Sequence, residues 1–185
     1  AQTTSEDLFQ EAERRLAAED YPLALNLYER ILDQYPTSRF ALEARYKRGI
    51  VLYKTGRYAE ALEVFDPLSR RRTGGQFAEA SLFWAGMCSY QQGDYGGAAS
   101  RFAGYLSGSD RRYRDKASLY RGLALGRSGE VEDALDILGR VYDEPRKAGG
   151  EPEGFLFYCS LLLQEEMHRD KASLYRGLAL GRSGE

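Results

Sequence analysis

Side chains that commonly carry out catalysis are scarce in this sequence of 185 residues. A Ser-His-Asp or Cys-His arrangement would require the one histidine, His168. It closes the run Glu-Glu-Met-His, which lacks the second histidine of the zinc motif H-E-x-x-H. The two cysteines, Cys88 and Cys159, do not have the spacing of a zinc site. We therefore predict no catalytic residue and no metal site, and we expect the protein not to be an enzyme.

Phosphate-binding motifs are also missing from the sequence. There is no G-x-x-x-x-G-K-[ST] loop, and no G-x-G-x-x-G turn follows a strand. Carboxylates are plentiful, for example Glu11 with Glu13 and Glu60 with Glu63, but such spacing is typical of the solvated face of an amphipathic helix. We expect no cofactor and no small-molecule substrate.

Composition narrows the classes of partner. The net charge of −2 gives no general attraction to nucleic acid. The longest apolar run, 155–163, has 9 residues including Ser160, whereas a membrane-spanning helix needs about 20. Spanning of a membrane is not expected, and association with a membrane surface stays open. The beginning at Ala1 shows no basic and apolar leader, which fits a mature exported protein or a trimmed chain.

A pattern of signature residues recurs along the chain. A small residue stands at Ala12, Gly49, Gly86, Gly122 and Ser160, with steps of 37, 37, 36 and 38. Nine residues after the first four come Tyr21, Tyr58, Tyr95 and Val131. Three residues further on are Ala24, Ala61, Ala98 and Ala134, and four beyond these are the large residues Tyr28, Phe65, Phe102 and Leu138. A period of this length indicates a helical repeat array.

The pattern predicts two antiparallel helices in each repeat, which we name helix A and helix B. The small residue of helix A allows helix B to approach closely, and the large residue of helix B fills the groove. Glycines in the turns, such as Gly56 and Gly93, can adopt the left-handed conformation that ends a helix. Pro22 is placed in the first turn of helix B, and Pro36 is expected to stop that helix.

The order of small residue, tyrosine, alanine, aromatic residue and proline resembles the tetratricopeptide repeat (TPR) family. The resemblance implies an all-α, right-handed superhelical solenoid of antiparallel helix pairs that binds proteins. Residues 1–4 are expected to be a flexible N-terminus, and 5–144 to hold four repeats. Their approximate ranges are 5–38, 42–75, 79–112 and 115–148. In such an array Cys88 and Cys159 lie too far apart for a disulfide, so we expect buried free thiols.

The C-terminal part, 153–185, is predicted to be a degraded fifth repeat followed by a helix. Residues 169–185 are identical to 114–130, at an offset of 55 residues, or about one and a half repeats. The other repeats share only their signature positions, so divergence of one ancestral repeat does not explain this identity. We assign no function to the segment.

Helix A lines the concave side of such a solenoid, so its free positions predict a partner-binding groove. These positions are Phe9, Tyr46, Ile50, Tyr53, Phe83, Trp84, Met87, Tyr90 and Tyr120. Contiguous exposed aromatic and methionine side chains usually mark an interaction site. Alternatively, these side chains are buried between repeats or covered by the fifth repeat. Chaperone-binding members of the family grip a terminal carboxylate with Lys, Asn and Arg on helix A; that set is absent at the matching positions.

A second candidate surface lies in the loops from helix B to the next helix A. Its residues are Arg70, Arg71, Arg72, Arg111, Arg112 and Arg114. Equivalent loops of a solenoid lie along one edge, so these arginines predict a basic edge for acidic protein, lipid headgroups or nucleic acid. Alternatively, they complement helix C-termini and keep the loops hydrated.

The stretch from Tyr35 to Gly49 reads Y-P-x-S-x-x-A-x-x-A-x-Y-x-x-G. This residue pattern resembles repeats of bacterial cell-envelope TPR proteins, namely those of the Tol–Pal coordinator type and of the outer-membrane assembly lipoprotein type. The resemblance implies a periplasmic adaptor with a protein or peptide partner. Two alternatives remain open: a self-associating subunit of a secretion or motility machine, and a cytosolic regulatory TPR domain.

Overall fold

The computed structural model of the protein describes residues 4–70 and 76–143, together with Leu161. Helices account for most of these residues, and no strand occurs among them. The helices are α1 Ser5–Ala17, α2 Tyr21–Gln34, α3 Ala41–Lys54, α4 Tyr58–Ser69, α5 Gln76–Gln91, α6 Tyr95–Ser107, α7 Arg114–Ser128 and α8 Val131–Asp143. The predicted all-α solenoid of helix pairs is confirmed.

Each odd-numbered helix is a helix A, and the even-numbered helix that follows it is its helix B. Helices consecutive in the chain pack against each other, and α3 also contacts α5, as α5 contacts α7. Because consecutive helices are antiparallel, the A helices run in the same direction side by side. They form one continuous layer of the solenoid, which is the layer that carries the concave surface of such arrays.

Glycine in helix A determines how closely helix B packs. A Cβ atom placed on Gly49 would lie 2.7 Å from Cζ of Phe65, and one on Gly122 would lie 2.7 Å from Leu138. Both distances are far below van der Waals contact. The predicted pairing of a small residue with a large residue in the facing helix is therefore confirmed.

The turn between helix A and helix B repeats with the same backbone conformation. Gly56, Gly93 and Gly129 have positive φ values of 76°, 81° and 93°, as predicted for glycines that end a helix. In the first repeat the same turn position is occupied by Glu19 with φ 57°, which is an unfavourable conformation for a residue other than glycine. Pro22 lies in the first turn of α2, and α2 ends at Gln34, before Pro36.

The described core extends through all the helix pairs. Cys88 is a buried free thiol, as predicted, and burial raises its pKa to about 12. Leu161 is helical and buried, and it belongs to the core formed by α5 to α8. The remaining calls on the fifth repeat, 153–185, including Cys159 and the copied segment 169–185, lie outside the described residues, as does His168.

Candidate partner-binding surface

The structure divides the nine residues of the predicted groove into two groups. Five are partly exposed on the layer of A helices: Ile50, Tyr53, Trp84, Tyr90 and Tyr120. We call these five residues the inner strip. The other four are buried, with exposed fractions of 9% for Phe9, 4% for Tyr46, 1% for Phe83 and 2% for Met87. The prediction that these four side chains line an open groove is wrong.

The three buried aromatic residues occupy equivalent positions and share one packing arrangement. Each contacts the large residue of its own helix B and an aromatic residue at the start of the next helix A. The sets are Phe9 with Tyr28 and Phe40, Tyr46 with Phe65 and Phe77, and Phe83 with Phe102 and Tyr113. The closest pair is Phe83 and Tyr113, whose rings stack with centroids 4.4 Å apart. These aromatic sets join successive repeats and are not available to a partner.

The sequence carried a signal for this arrangement that was missed. Phe40, Phe77 and Tyr113 follow each other at steps of 37 and 36, in phase with the repeat. An aromatic residue at the start of each following helix A supplies the surface that covers the buried position. Met87 is buried for a related reason, because it packs into the core shared by α5 to α8.

The inner strip consists of ring contacts that repeat from one A helix to the next. Tyr53 of α3 meets Trp84 of α5 edge to face at 5.1 Å between centroids. One repeat later, Tyr90 of α5 meets Tyr120 of α7 edge to face at 5.0 Å. Edge-to-face contacts at these distances are favourable beyond the burial of area. The strip therefore crosses three adjacent A helices as an ordered aromatic surface.

A hydrogen bond fixes the largest ring of the strip. Nε1 of Trp84 donates to the hydroxyl of Tyr46 at 3.0 Å. Burial raises the pKa of Tyr46 above its usual value, so the hydroxyl remains a neutral phenol. The indole also stacks on Phe65, with ring centroids 6.4 Å apart. Trp84 thus presents a partly exposed face whose orientation is set by buried residues.

Two cations lie over rings of the strip, and a third lies over a ring outside it. The ammonium of Lys116 lies 5.7 Å from the ring centroid of Tyr120, whereas that of Lys54 lies 5.9 Å from the ring of Tyr21 on α2. The guanidinium of Arg127 lies 5.0 Å from the ring of Tyr90. These are distances at which a cation is attracted to the face of an aromatic ring.

A polar contact connects the first two A helices. The ammonium of Lys47 on α3 lies 2.7 Å from a carboxylate oxygen of Glu13 on α1. Glu13 also accepts a hydrogen bond from the hydroxyl of Tyr28. Burial, and then this bond, raises the pKa of Tyr28 above its usual value. This end of the layer is therefore polar, in contrast to the aromatic surface from Ile50 onward.

The predicted basic edge is partly used to build its own loop. Arg112 forms an ion pair with Asp110 at 2.7 Å, and Arg114 donates to the carbonyl oxygen of Leu106 at 3.1 Å. Arg70 and Arg111 are exposed. Arg71 and Arg72 lie outside the described residues.

The part of the chain that the structure describes holds no group of three or more His, Cys, Asp or Glu side chains placed to bind a metal ion. None of its helices has the length and apolar character needed to cross a bilayer.

Stacked helix pairs with a repeated glycine contact and a continuous layer of A helices define a helical-repeat protein. The sequence model of the tetratricopeptide repeat family matches residues 9–75 and again residues 46–112, which together span more than half of the chain. The chain belongs to the tetratricopeptide repeat family. This fold indicates a protein–protein interaction scaffold, and proteins of this class are generally not enzymes.

Solved structures with the same fold cover nearly the whole chain. MamA from Desulfovibrio magneticus RS-1 (residue 41 to its end) has a TM-score of 0.73 and 17% identity, covering 98% of this chain and 97% of that one. A second MamA structure has a TM-score of 0.71 and 15% identity, with 96% and 90% covered. A putative kinesin light chain from Podosopora anserina gives 0.65 and 14%, with 97% of each covered. At such identities the likeness shows the fold alone. No curated protein matches the chain significantly in sequence.

Proposed function

We propose that this protein is an adaptor that binds a peptide or a partner helix on its inner strip, within an assembly of the bacterial cell envelope. The observation that carries the proposal is the aromatic surface of Tyr53, Trp84, Tyr90 and Tyr120, which is partly exposed on three adjacent A helices. Tyrosine and tryptophan are enriched among the residues that dominate binding energy at interfaces.

The strip is suited to binding because its rings are already positioned. Trp84 is oriented by Tyr46 and by Phe65, so little side-chain entropy remains to be lost when a partner binds. The centre of the surface is also uncharged, since α5 carries one charged residue, Glu79, in its first turn. A partner therefore removes little charge from water when it covers α5.

The envelope assignment is supported by the resemblance of the stretch from Tyr35 to Gly49. In this structure that stretch forms the connection that follows α2 and the first nine residues of α3, which begins at Ala41. The backbone N–H of Ser38 donates to the carbonyl oxygen of Tyr35 at 3.0 Å, and the hydroxyl of Ser38 accepts from Phe40 at 3.2 Å. The second contact explains the serine at position 38, and the compartment is inferred from the resemblance alone.

Photo-crosslinking in the organism that encodes the chain tests the proposal. A photoreactive phenylalanine analogue would replace Tyr53 or Tyr90, and a matched control would carry it in place of Arg30, which is exposed on α2. We expect the same envelope protein to be captured from both strip positions and not from position 30. Capture of a cytosolic protein would overturn the location. Capture of nothing would overturn the strip as a binding site.

The same experiment addresses self-association. Capture of only this chain from the strip positions would favour the self-associating subunit, and light scattering would then show a mass that grows with concentration. A monomer at every concentration would exclude that alternative.

A further inference from the structure

The start of helix B carries a tyrosine in each of the first three repeats, namely Tyr21, Tyr58 and Tyr95. In the second and third repeats its ring meets a tyrosine near the end of helix A. The ring centroids of Tyr53 and Tyr58 lie 5.4 Å apart, and those of Tyr90 and Tyr95 lie 5.5 Å apart. All five rings are partly exposed. The two ring pairs are therefore the same structural unit, one repeat apart.

A cation of the next helix A lies over this tyrosine in the first and third repeats. The ammonium of Lys54 lies 5.9 Å from the ring centroid of Tyr21. The guanidinium of Arg127 lies 5.6 Å from the ring centroid of Tyr95 and 5.0 Å from that of Tyr90. Lys54 and Arg127 hold the same position in their repeats, five residues after the glycine that faces helix B. The tyrosine at the start of helix B is thus a cation site in both repeats.

In the second repeat a neutral residue stands at the matching position. The residue equivalent to Lys54 and Arg127 is Gln91, the last residue of α5, which is exposed and uncharged. We infer that the partner supplies this cation: its bound segment carries a lysine or an arginine whose charged group lies over the ring of Tyr58. The amide oxygen of Gln91 can accept a hydrogen bond from that group. The inference rests on the proposed function and adds one specific contact to it.

The cation site is continuous with the inner strip through Tyr53. That ring meets Tyr58 at 5.4 Å between centroids and Trp84 at 5.1 Å. Because an extended chain advances about 3.3 Å per residue, one short segment reaches both outer rings. An apolar residue a few positions from the lysine or arginine can therefore cover the indole of Trp84.

The ions closest to Tyr58 along the chain do not determine the charge of the ligand. Arg57 donates to both carboxylate oxygens of Glu60, at 2.6 and 2.5 Å, so this pair is neutral. The ammonium of Lys54 lies against Tyr21 of the preceding repeat. Lys54 is exposed, so water and salt screen its repulsion of a second cation.

A negative charge balances Lys54 in the following repeat, at the turn after α5. The carboxylates of Asp66 and Asp94 lie 3.3 and 3.7 Å from guanidinium nitrogens of Arg101. Two carboxylates on one guanidinium leave one net negative charge, and Asp94 is exposed. The charges around Tyr58 thus nearly cancel, and the attraction for a cation comes from the ring.

Selection from a random 12-residue peptide library on the immobilised full chain tests the inference. The peptides that bind the wild-type protein, and do not bind Tyr90→Ala, are the strip-dependent ones. We expect them to share a lysine or arginine at one fixed spacing from an aromatic or large aliphatic residue. The most enriched peptide is then synthesised with a fluorescent label, and its Kd is measured by anisotropy at about 0.15 M salt.

Gln91→Arg gives the second repeat its own cation over Tyr58. We expect the Kd of the labelled peptide to rise about 10-fold, because the ring face is already occupied and the two cations repel each other. The matched control is Gln92→Arg, which makes the same change in net charge at the adjacent exposed residue. It should leave the Kd within about twofold, because an exposed charge without the ring contact contributes little. Circular dichroism confirms that both variants are folded.

Tyr58→Leu tests the ring itself, since it removes the aromatic face and keeps an apolar side chain. The Kd of the selected peptide should rise about 10-fold. A second peptide, in which norleucine replaces the basic residue, should bind Tyr58→Leu and the wild-type protein equally well. An effect of the substitution on the first peptide alone identifies the contact as one between the cation and the ring.

The outcomes separate this inference from the proposed function. Strip-dependent peptides without an enriched basic residue would overturn the cation contact and leave the binding surface standing. Equal Kd values for Gln91→Arg and Gln92→Arg, or an effect of Tyr58→Leu that persists with norleucine, would overturn Tyr58 as the cation site. Failure to enrich any strip-dependent peptide would overturn the binding surface, and the cation contact with it.

Discussion

Gly86 of α5 lies directly beneath the ring of Phe102 of α6: a Cβ atom on Gly86 would be 2.8 Å from Cε1 of that ring. Phe102 is fully buried. The distance between α5 and α6 is therefore determined by the lack of a side chain at Gly86 and by the ring of Phe102. The same relationship links Gly49 with Phe65 one repeat earlier.

Gly86→Ala should destabilise the protein. The added methyl group must push a buried ring, and overpacking of this kind costs about 1–3 kcal/mol, which outweighs the gain of about 1 kcal/mol for alanine over glycine in a helix. We expect a net loss of about 1 kcal/mol in the free energy of unfolding, measured by urea denaturation. In a Phe102→Leu background the loss should shrink, because the smaller side chain leaves room for the methyl group.

The matched control for this substitution is Gly96→Ala. Gly96 lies in the first turn of α6, and a Cβ there meets nothing within 4 Å. This change should stabilise the protein by about 0.5–1 kcal/mol, since alanine restricts the unfolded chain. Equal effects at positions 86 and 96 would contradict the contact with Phe102.

Glu19→Gly should stabilise the turn between α1 and α2. Glu19 has φ 57° at the position that glycine holds in the next three repeats. The left-handed conformation costs about 1–2 kcal/mol for residues other than glycine, and part of this relief is offset by the greater freedom of glycine in the unfolded chain. We expect a gain of up to about 1 kcal/mol, seen as slower hydrogen exchange in α1 and α2. Gly93→Ala should act in the opposite direction, and faster exchange in Glu19→Gly would show that the turn is not strained.

The helix pairs and their contacts were predictable because each depends on residue size at a fixed offset. The pairing of Gly49 with Phe65 can be predicted from the repeat period alone, because the large ring of helix B needs a small residue opposite it on helix A. Glu19 shows the limit of this reasoning, because the turn geometry is imposed by the helices on either side and the sequence supplies no glycine there.

The binding surface was predicted less well, for a physical reason. Periodicity places Tyr46 and Tyr53 on the same side of α3, since they are seven residues apart. Burial depends in addition on what the next repeat contributes, and Phe77 covers Tyr46 whereas Tyr53 meets Trp84 at the surface. A contact between repeats cannot be derived from the face of one helix.

Cys88 should be unreactive in the folded protein. Burial raises the pKa of its thiol to about 12, so almost no thiolate forms at pH 8. In a Cys159→Ser background, we expect no reaction with a disulfide reagent at pH 8 until urea unfolds the chain. Rapid reaction in the folded state would show that the core between α4 and α5 opens readily.

The same shift predicts a loss of stability in alkali. The folded pKa of Cys88 lies above the value of about 8.5 for an unfolded thiol, so the unfolded state loses its proton first. The contribution is complete below about pH 8.5 and is lost as the pH rises towards 12. The free energy of unfolding, measured by denaturation at a series of pH values, should therefore fall less steeply with rising pH for Cys88→Ala than for the wild type. If the free energy of unfolding had the same pH dependence in Cys88→Ala and in the wild type, the raised pKa of the Cys88 thiol would be contradicted.

Phe83→Ala and Tyr90→Ala should separate the core from the binding surface. Phe83 is 1% exposed among the rings of Phe102, Tyr105 and Tyr113, so its truncation should cost about 3–5 kcal/mol. Tyr90 is partly exposed, and its truncation should cost about 1 kcal/mol while removing binding of the captured partner. A loss of stability at Tyr90 as large as that at Phe83 would assign the inner strip to the core.

Tyr46→Phe should loosen Trp84 without emptying the core. The hydroxyl of Tyr46 accepts the indole N–H, and its removal should cost about 1 kcal/mol of stability. Trp84 is the only tryptophan of the chain, so its fluorescence reports on this bond directly. We expect a shifted emission maximum and weaker binding of the captured partner, because the indole is no longer held in its binding orientation. Tyr58→Phe is the control, since it removes a hydroxyl beside Tyr53 and leaves the bond to Trp84 intact. If both variants bind the captured partner as the wild type does, the hydrogen bond does not position Trp84 for that partner, and the preorganisation of the inner strip must come from ring packing alone.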